Sequence, residues 1–249
     1  MDDKLKVKKY GLIGKDIGYS FSRNYFGNKF SAKEEYSNLT YENFDIDSIS
    51  KIQEIFEIDN LGGLNITIPY KKQVIPYLDE LSDTAKIIGA VNTICFKKDI
   101  KVGHNTDVIG FKKALKNILS KKPKKAIILG TGGASRAIEY VLKSEGIDII
   151  FVSRKPINNE IHYKDLNNKI MEESELIINC TPLGTFPKIN DAPDIPYEFL
   201  SSNNCLFDLI YNPEKTKFMK NGIKMGAKVT NGYNMLIQQA EASWKLWKL

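Results

Sequence analysis

Residues 124–135 read KKAIILGTGGAS, in which the apolar run AIIL at 126–129 passes through glycines into the start of a helix. A run apolar at every position predicts a strand buried on both faces, the kind found in a helix-covered parallel sheet. Gly130 permits the tight turn after the strand, and Gly132 lets the backbone approach a pyrophosphate. The helix start adds unpaired N–H groups and the positive end of the helix dipole. Ser135 stands where the GxGxxG pattern has its third glycine. A bare GxG also occurs as a purely structural turn, but the strand–turn–helix setting favours a dinucleotide site.

The tip of the next strand sharpens this. A site for NAD usually places Asp or Glu there, about 20 residues beyond the turn, to hold the ribose 2′-hydroxyl. Here FVSRK (151–155) brings Ser153, Arg154 and Lys155 to that point, and the nearest carboxylate, Asp148, lies at the strand's other end. A guanidinium pairs with a 2′-phosphate, so the expected cofactor is NADP(H) rather than NAD(H). The competing reading is a solvated strand end.

Strands alternate with helices along the whole chain. Expected strands cover 8–14, 36–45, 62–68, 92–98, 124–130, 148–154, 175–181 and 205–211. Expected helices cover 22–30, 47–58, 71–77, 82–89, 106–119, 134–146, 213–221 and 233–248. Such alternation implies crossover connections and an α/β fold with mostly parallel sheets. A length of 249 residues allows one large domain or two small ones. GHNTD (103–107) entering a long helix suggests a boundary near 104, and the polar stretch 158–169 reads as a loop.

Three polar clusters fall at expected strand ends, where α/β folds place their ligands. Ser20 and Ser22 can donate to a carboxylate, although for Ser22 capping the following helix is the simpler role. Asn65 and Thr67 alternate with apolar residues and so share one face of their strand, with Lys71 just beyond Pro69. By default any of the 33 lysines is a surface lysine; its polar company singles out Lys71. Asn92 enters a strand and Asp107 opens a helix, and a Lys–Asp pair is a plausible unit for proton transfer and positioning.

The net charge of +6 invites a nucleic-acid reading, but it comes with only three arginines and no RNA-binding motif. Cys95, Cys180 and Cys205 are far apart and lack metal-ligand spacing, so they read as buried free thiols, with no metal expected. No apolar run approaches a membrane span and the N-terminus lacks a signal-peptide core, so no membrane partner and a cytoplasmic location are expected.

The segments GLIGKDIGYSFS, GLNITIPYKKQ, GAVNTI, GHNTDVIGF, ILGTGGASRA, INCTPLGTFP, DLIYNPEKT and NGYNMLIQQAEASWKLW, in that order, resemble the shikimate dehydrogenases over nearly the whole chain. The resemblance implies two α/β domains around a cleft. Residues 1–104 plus 233–249 would form the substrate-binding catalytic domain, and 105–232 a Rossmann-type NADP-binding domain. It implies reversible NADPH-dependent reduction of 3-dehydroshikimate to shikimate, in aromatic amino acid biosynthesis, by a monomer or homodimer. Carried over by position, Ser20, Ser22, Asn65, Thr67, Asn92, Tyr211 and Gln239 would bind substrate, and Lys71 and Asp107 would be catalytic. Gly130, Gly132, Gly133, Ala134, Ser153, Arg154, Lys155, Thr181, Gly232 and Met235 would bind cofactor.

Two departures stand out. The family's usual His-Ser-x-Ser-Pro is Tyr19-Ser20-Phe21-Ser22-Arg23 here, which keeps both hydroxyls, and His104 replaces an Asp and reads as an exposed loop residue. Alternatives are a quinate/shikimate dehydrogenase using NAD or NADP, and a catalytically silent cofactor-binding regulator on the same fold.

Overall fold

The structure, a computed structural model, describes residues 6–18, 20–98 and 100–248; Tyr19 of the first polar cluster lies outside them. The chain forms two compact units. The first runs to Thr106 and resumes at Ala240; the second is Asp107–Gln239. The divisions expected from the sequence were at 104 and 232.

The first unit contains β1 (Lys8–Gly14), α1 (Phe21–Ser31), β2 (Leu39–Asp45), α2 (Ile52–Phe56), β3 (Leu61–Ile66), β4 (Glu80–Leu81), α3 (Asp83–Ile88), β5 (Thr93–Lys97) and β6 (Ile100–His104). The strands make one sheet in the order β2-β1-β3-β5-β6-β4. β1 pairs in parallel with β2 and β3, β4 pairs in parallel with β6, and β5 is antiparallel to both its neighbours. Both faces are covered. Tyr10, Leu12, Phe26, Phe30, Tyr41, Trp244 and Trp247 pack on one side, and Ile13, Ile52, Leu64, Ile66, Val74 and Ile94 on the other.

Trp247 lies flat against β3 because Gly63 has no side chain. A Cβ at Gly63 would come within 2.2 Å of the indole nitrogen. The indole N–H donates to the Ile94 carbonyl oxygen at 3.0 Å.

The second unit contains α4 (Asp107–Ile118), β7 (Lys125–Leu129), α5 (Gly133–Ser144), β8 (Asp148–Ser153), β9 (Ile161–His162), α6 (Asn168–Glu173), β10 (Leu176–Asn179), β11 (Cys205–Asp208), α7 (Lys217–Lys224) and β12 (Lys228–Thr230). A last helix, α8 (Tyr233–Trp247), begins in it. The sheet order is β12-β11-β10-β7-β8-β9, with every pairing parallel. Counted from β7 in chain order this is 3-2-1-4-5-6, the doubly wound arrangement of dinucleotide-binding sheets. The apolar run at 126–129 lies in its central strand: Ala126 and Ile128 face one core, Ile127 and Leu129 the other.

Several expected elements differ. Residues 71–77 are turns with a single 3-10 turn at Ile75–Tyr77, because Pro76 removes a helix donor. The stretch 158–169 is not a free loop; it holds β9, a 3-10 turn at Tyr163–Asp165 and the start of α6. His104 is not an exposed loop residue. It ends β6 opposite Thr93, and burial of its ring lowers its pKa. The helix expected over 213–221 begins later, where the Thr216 hydroxyl accepts from the Met219 N–H at 3.3 Å.

Candidate active site

In the second unit, β7 and β10 are adjacent strands at which the sheet order reverses, so their C-terminal ends leave the crevice in which such sheets bind ligands. A cleft of about 530 Å³ opens there, lined by Gly130, Gly132, Arg154, His162, Thr181 and Asp194 among others. Gly130 has φ +92, a left-handed turn, and a Cβ there would stand 2.9 Å from the Thr181 methyl. A Cβ on Gly132 or Gly133 would meet nothing within 4 Å, so the first turn of α5 faces open space. Ser135 turns its hydroxyl inward, donating to the Gly132 carbonyl at 2.7 Å, and stabilises the turn without a third glycine.

Exposed Arg154 and Lys155 follow β8, and half-buried Ser153 ends it, its hydroxyl accepting from the Lys155 N–H at 3.2 Å. No carboxylate occupies this tip. An open backbone cradle, a helix start and cationic donors at the neighbouring strand end together fit a dinucleotide with a 2′-phosphate.

The other wall of the crevice is braced by a buried polar chain that sequence reading missed. Asn179 Oδ1 accepts from the Thr181 backbone N–H at 3.0 Å and from its hydroxyl at 2.6 Å. Asn179 Nδ2 donates to Asp208 at 3.0 Å. Asp208 also accepts from the Thr216 hydroxyl at 2.6 Å and the Ile210 N–H at 3.1 Å. Asp208 is fully buried, and burial pushes its pKa up to about 6 despite these bonds. Cys180 is intermediate in exposure, and burial and the nearby Asp208 push its thiol well up. Cys95 and Cys205 are buried, with thiols pushed up to about 12 and about 11 by desolvation. All three are free and poorly nucleophilic.

In the first unit the polar residues gather where β3 and β5 meet. Tyr41 donates to Asn65 Oδ1 at 2.8 Å. Asn65 Nδ2 lies within reach of the Asn92 carbonyl (3.1 Å), Thr93 Oγ1 (3.2 Å) and Ser243 Oγ (3.0 Å). An amide nitrogen carries two hydrogens, so these three acceptors compete. Asn92 Oδ1 accepts from the Thr106 N–H at 2.7 Å and from the Thr93 and Thr106 hydroxyls at 3.1 Å. The Ser22 hydroxyl meets the Tyr41 phenol, and Ser20, at the N-cap position of α1, makes no capping bond. Ser22 lies inside α1, so the capping role expected of it as the simpler reading is not the one observed.

Thr67 lies just beyond β3, its N–H donating to the Ile13 carbonyl at 2.9 Å. The Lys71 carbonyl accepts from the Val91 N–H at 2.7 Å, which fixes the Lys71 backbone next to the segment entering Asn92. Ser22, Tyr41, Asn65 and Asn92 thus share one hydrogen-bonded group, with Lys71 and Thr67 on the adjoining turn.

Of the remaining candidates, Asp107 opens α4 in the second unit and is buried. Gln239, the second unit's last residue, is buried and donates to the Leu236 carbonyl at 3.1 Å. Ala134 sits half-buried in the first turn of α5, and Tyr211 half-buried just past β11. Met235 packs into the core with Phe111 and Phe207. Gly232 has a packing reason of its own: a Cβ would lie 2.1 Å from the Leu209 carbonyl oxygen. Among the described residues there is no cluster of three or more metal-ligating side chains and no helix long and apolar enough to cross a membrane.

A family model described as the shikimate dehydrogenase substrate binding domain matches residues 12–94. A shikimate dehydrogenase (NADP(+)) of Clostridium beijerinckii is 36% identical over 249 residues, covering 96% of this chain and 91% of the relative. Among solved structures, a chorismate mutase/shikimate 5-dehydrogenase fusion protein from Clostridium acetobutylicum superposes with a TM-score of 0.86 at 36% identity. That match covers 98% of this chain and 92% of the fusion chain. The Thermus thermophilus shikimate 5-dehydrogenase in complex with NADP(H) and shikimate gives a TM-score of 0.82 at 28% identity, over 96% and 93% of the two chains.

Proposed function

The chain belongs to the shikimate dehydrogenase family, and we propose that it performs the reversible NADPH-dependent reduction of 3-dehydroshikimate to shikimate. It is an NADP-dependent oxidoreductase acting on a CH–OH group. The observation that carries this reading is the 3-2-1-4-5-6 sheet whose glycine turn faces open space beside a strand tip bearing Arg154 and no carboxylate.

Bound NADPH would supply the hydride that reduces the C3 carbonyl. Gly130, Gly132, Gly133 and Ala134 would hold its pyrophosphate through backbone N–H groups, and Ser153, Arg154 and Lys155 its 2′-phosphate. Thr181, Gly232 and Met235 are assigned to the nicotinamide end. The chain's own residues handle the substrate. Ser20 and Ser22 are assigned to its carboxylate, and Asn65, Thr67, Asn92, Tyr211 and Gln239 to its hydroxyls and carboxylate.

The bonds that pin Asn65 and Asn92 support this, because amides locked before substrate arrives lose little freedom on binding it. For Asn65 to donate to a substrate hydroxyl it withdraws one of its two amide hydrogens, which leaves one for the three competing acceptors. Lys71 is assigned to stabilise the negative charge that develops on the carbonyl oxygen and to pass it a proton. Asp107 is the carboxylate assigned to orient the reacting hydroxyl.

Cofactor reduction followed by absorbance, with shikimate and with quinate, against NADP⁺ and NAD⁺, tests the whole reading. Shikimate with NADP⁺ should exceed every other pairing at least tenfold in kcat/KM. A preference for quinate or for NAD⁺, or no turnover by the folded protein, would overturn it.

A further inference from the structure

The segment after Lys155 has no role in the reading above, yet it returns to the sheet at the cofactor cleft. β9 is only Ile161–His162, and it pairs in parallel with β8 so that His162 stands directly opposite Ser153. Neighbouring strands lie about 4.8 Å apart, and partners in register project to the same face. His162 therefore stands beside the strand tip assigned to the 2′-phosphate. It lines the same cleft as Gly132 and Arg154 and is half-buried.

Its ring is fixed. The Lys164 backbone N–H donates to His162 Nδ1 at 3.1 Å, while the His162 N–H donates to Asp165 Oδ2 at 3.0 Å. A ring whose Nδ1 accepts carries its proton on Nε2, so the other nitrogen is a donor. Asp194 lines the same cleft and, as a like charge, disfavours a phosphate there, which raises the need for donors at the β8–β9 edge.

We propose that His162 is a specificity residue for the cofactor, its Nε2–H donating to the 2′-phosphate of NADP(H) alongside Arg154. This rests on the cofactor reading above and extends it to a strand that the phosphate-clamp motif does not include. The polar stretch 158–169 then has a reason to return to the sheet edge: it delivers a further donor to the phosphate and caps the turn that holds that donor.

Two substitutions separate the ring's two nitrogens. His162→Asn keeps an acceptor near the Nδ1 position, and Asn is a favoured capping residue, so the turn at Tyr163–Asp165 is preserved while the outer donor is lost. His162→Gln retains a donor at about the reach of Nε2. Calorimetric titration of the natural chain and both variants with NADP⁺ and with NAD⁺ reads binding without turnover. His162→Asn should weaken NADP⁺ about tenfold, as expected for one charge-assisted hydrogen bond, and leave NAD⁺ unchanged. His162→Gln should stay within about threefold of the natural chain on NADP⁺. Equal effects of His162→Asn on both cofactors, or none on either, would overturn the assignment while the natural chain's own preference for NADP⁺ still stood. A natural chain that binds NAD⁺ as tightly as NADP⁺ would overturn the underlying cofactor reading as well.

Discussion

Lys71 leaves the turn after β3 with its backbone tied to Val91 and its side chain half-buried. Lys71→Ala should lower kcat by about 10²–10⁴-fold, the range for a general acid–base group. NADP⁺ affinity should hold, since the assigned cofactor residues lie in the other unit; steady-state kinetics beside a binding titration check both. Asp208 makes the opposite kind of contribution, a buried charge kept for the bonds it accepts. Its folded pKa of about 6 lies above the unfolded value of about 3.9. Between those values the native state binds the extra proton, so this group costs stability as pH rises from about 4 to about 6 and beyond. Asp208→Asn removes that slope. Urea unfolding at pH 5 and pH 7 should show the variant gaining on the natural chain at the higher pH, by up to about 3 kcal/mol across the full titration. A gap that does not change with pH would contradict the account. Asn65, Thr67 and Lys71 were legible because strand alternation and a proline mark them. Asp208, Asn179 and Tyr41 were not, because each acquires its meaning from a partner 24 to 29 positions away that only folding supplies.

Among the elements, long apolar strands were readable and short ones were not. β7 declares itself by composition, whereas β9 has two residues and β12 three, too few for a period to show. The β5–β6 hairpin was missed for a different reason. Its connection carries Lys98 at φ 56 in place of the Asn-Gly or Asp-Gly pair that announces a tight turn. β3 owes its packing to Gly63, which opens the segment GLNITIPYKKQ but was assigned no role there. Gly63→Ala would drive a methyl into the ring of Trp247, which is held on its far side by an aromatic cluster including Tyr10 and Phe26. A buried indole has no room to retreat, so the variant should lose about 1–3 kcal/mol, the range for overpacking. The urea midpoint measures it, and a tryptophan emission shifted to the red while still folded would place the strain at that ring.

On the scale of the whole molecule, chain order and structural order disagree. The first unit closes only with residues 240–249, which bring Trp244 and Trp247 against Tyr10, Phe26 and Phe30. Glu241 there accepts a hydrogen bond from Tyr25 and pairs with Lys29 at 2.6 Å. The second unit needs nothing past Gln239; its two core clusters are filled from Phe111 to Met235. Burying an aromatic or large aliphatic side chain contributes roughly 1.5–3 kcal/mol, and the last ten residues carry two tryptophans into one core. Their loss would remove a large part of the stability of a unit of this size. A chain ending at Gln239 should therefore lose the first unit's structure while the second persists. Limited proteolysis should digest residues 6–106 and spare a fragment spanning 107–239, shikimate oxidation should vanish, and NADP⁺ should still bind within about threefold of the full chain's affinity. Should the shortened chain lose NADP⁺ binding as well, the cofactor residues would depend on the first unit for their geometry, and the assignment of a self-sufficient binding sheet to 107–239 would fail.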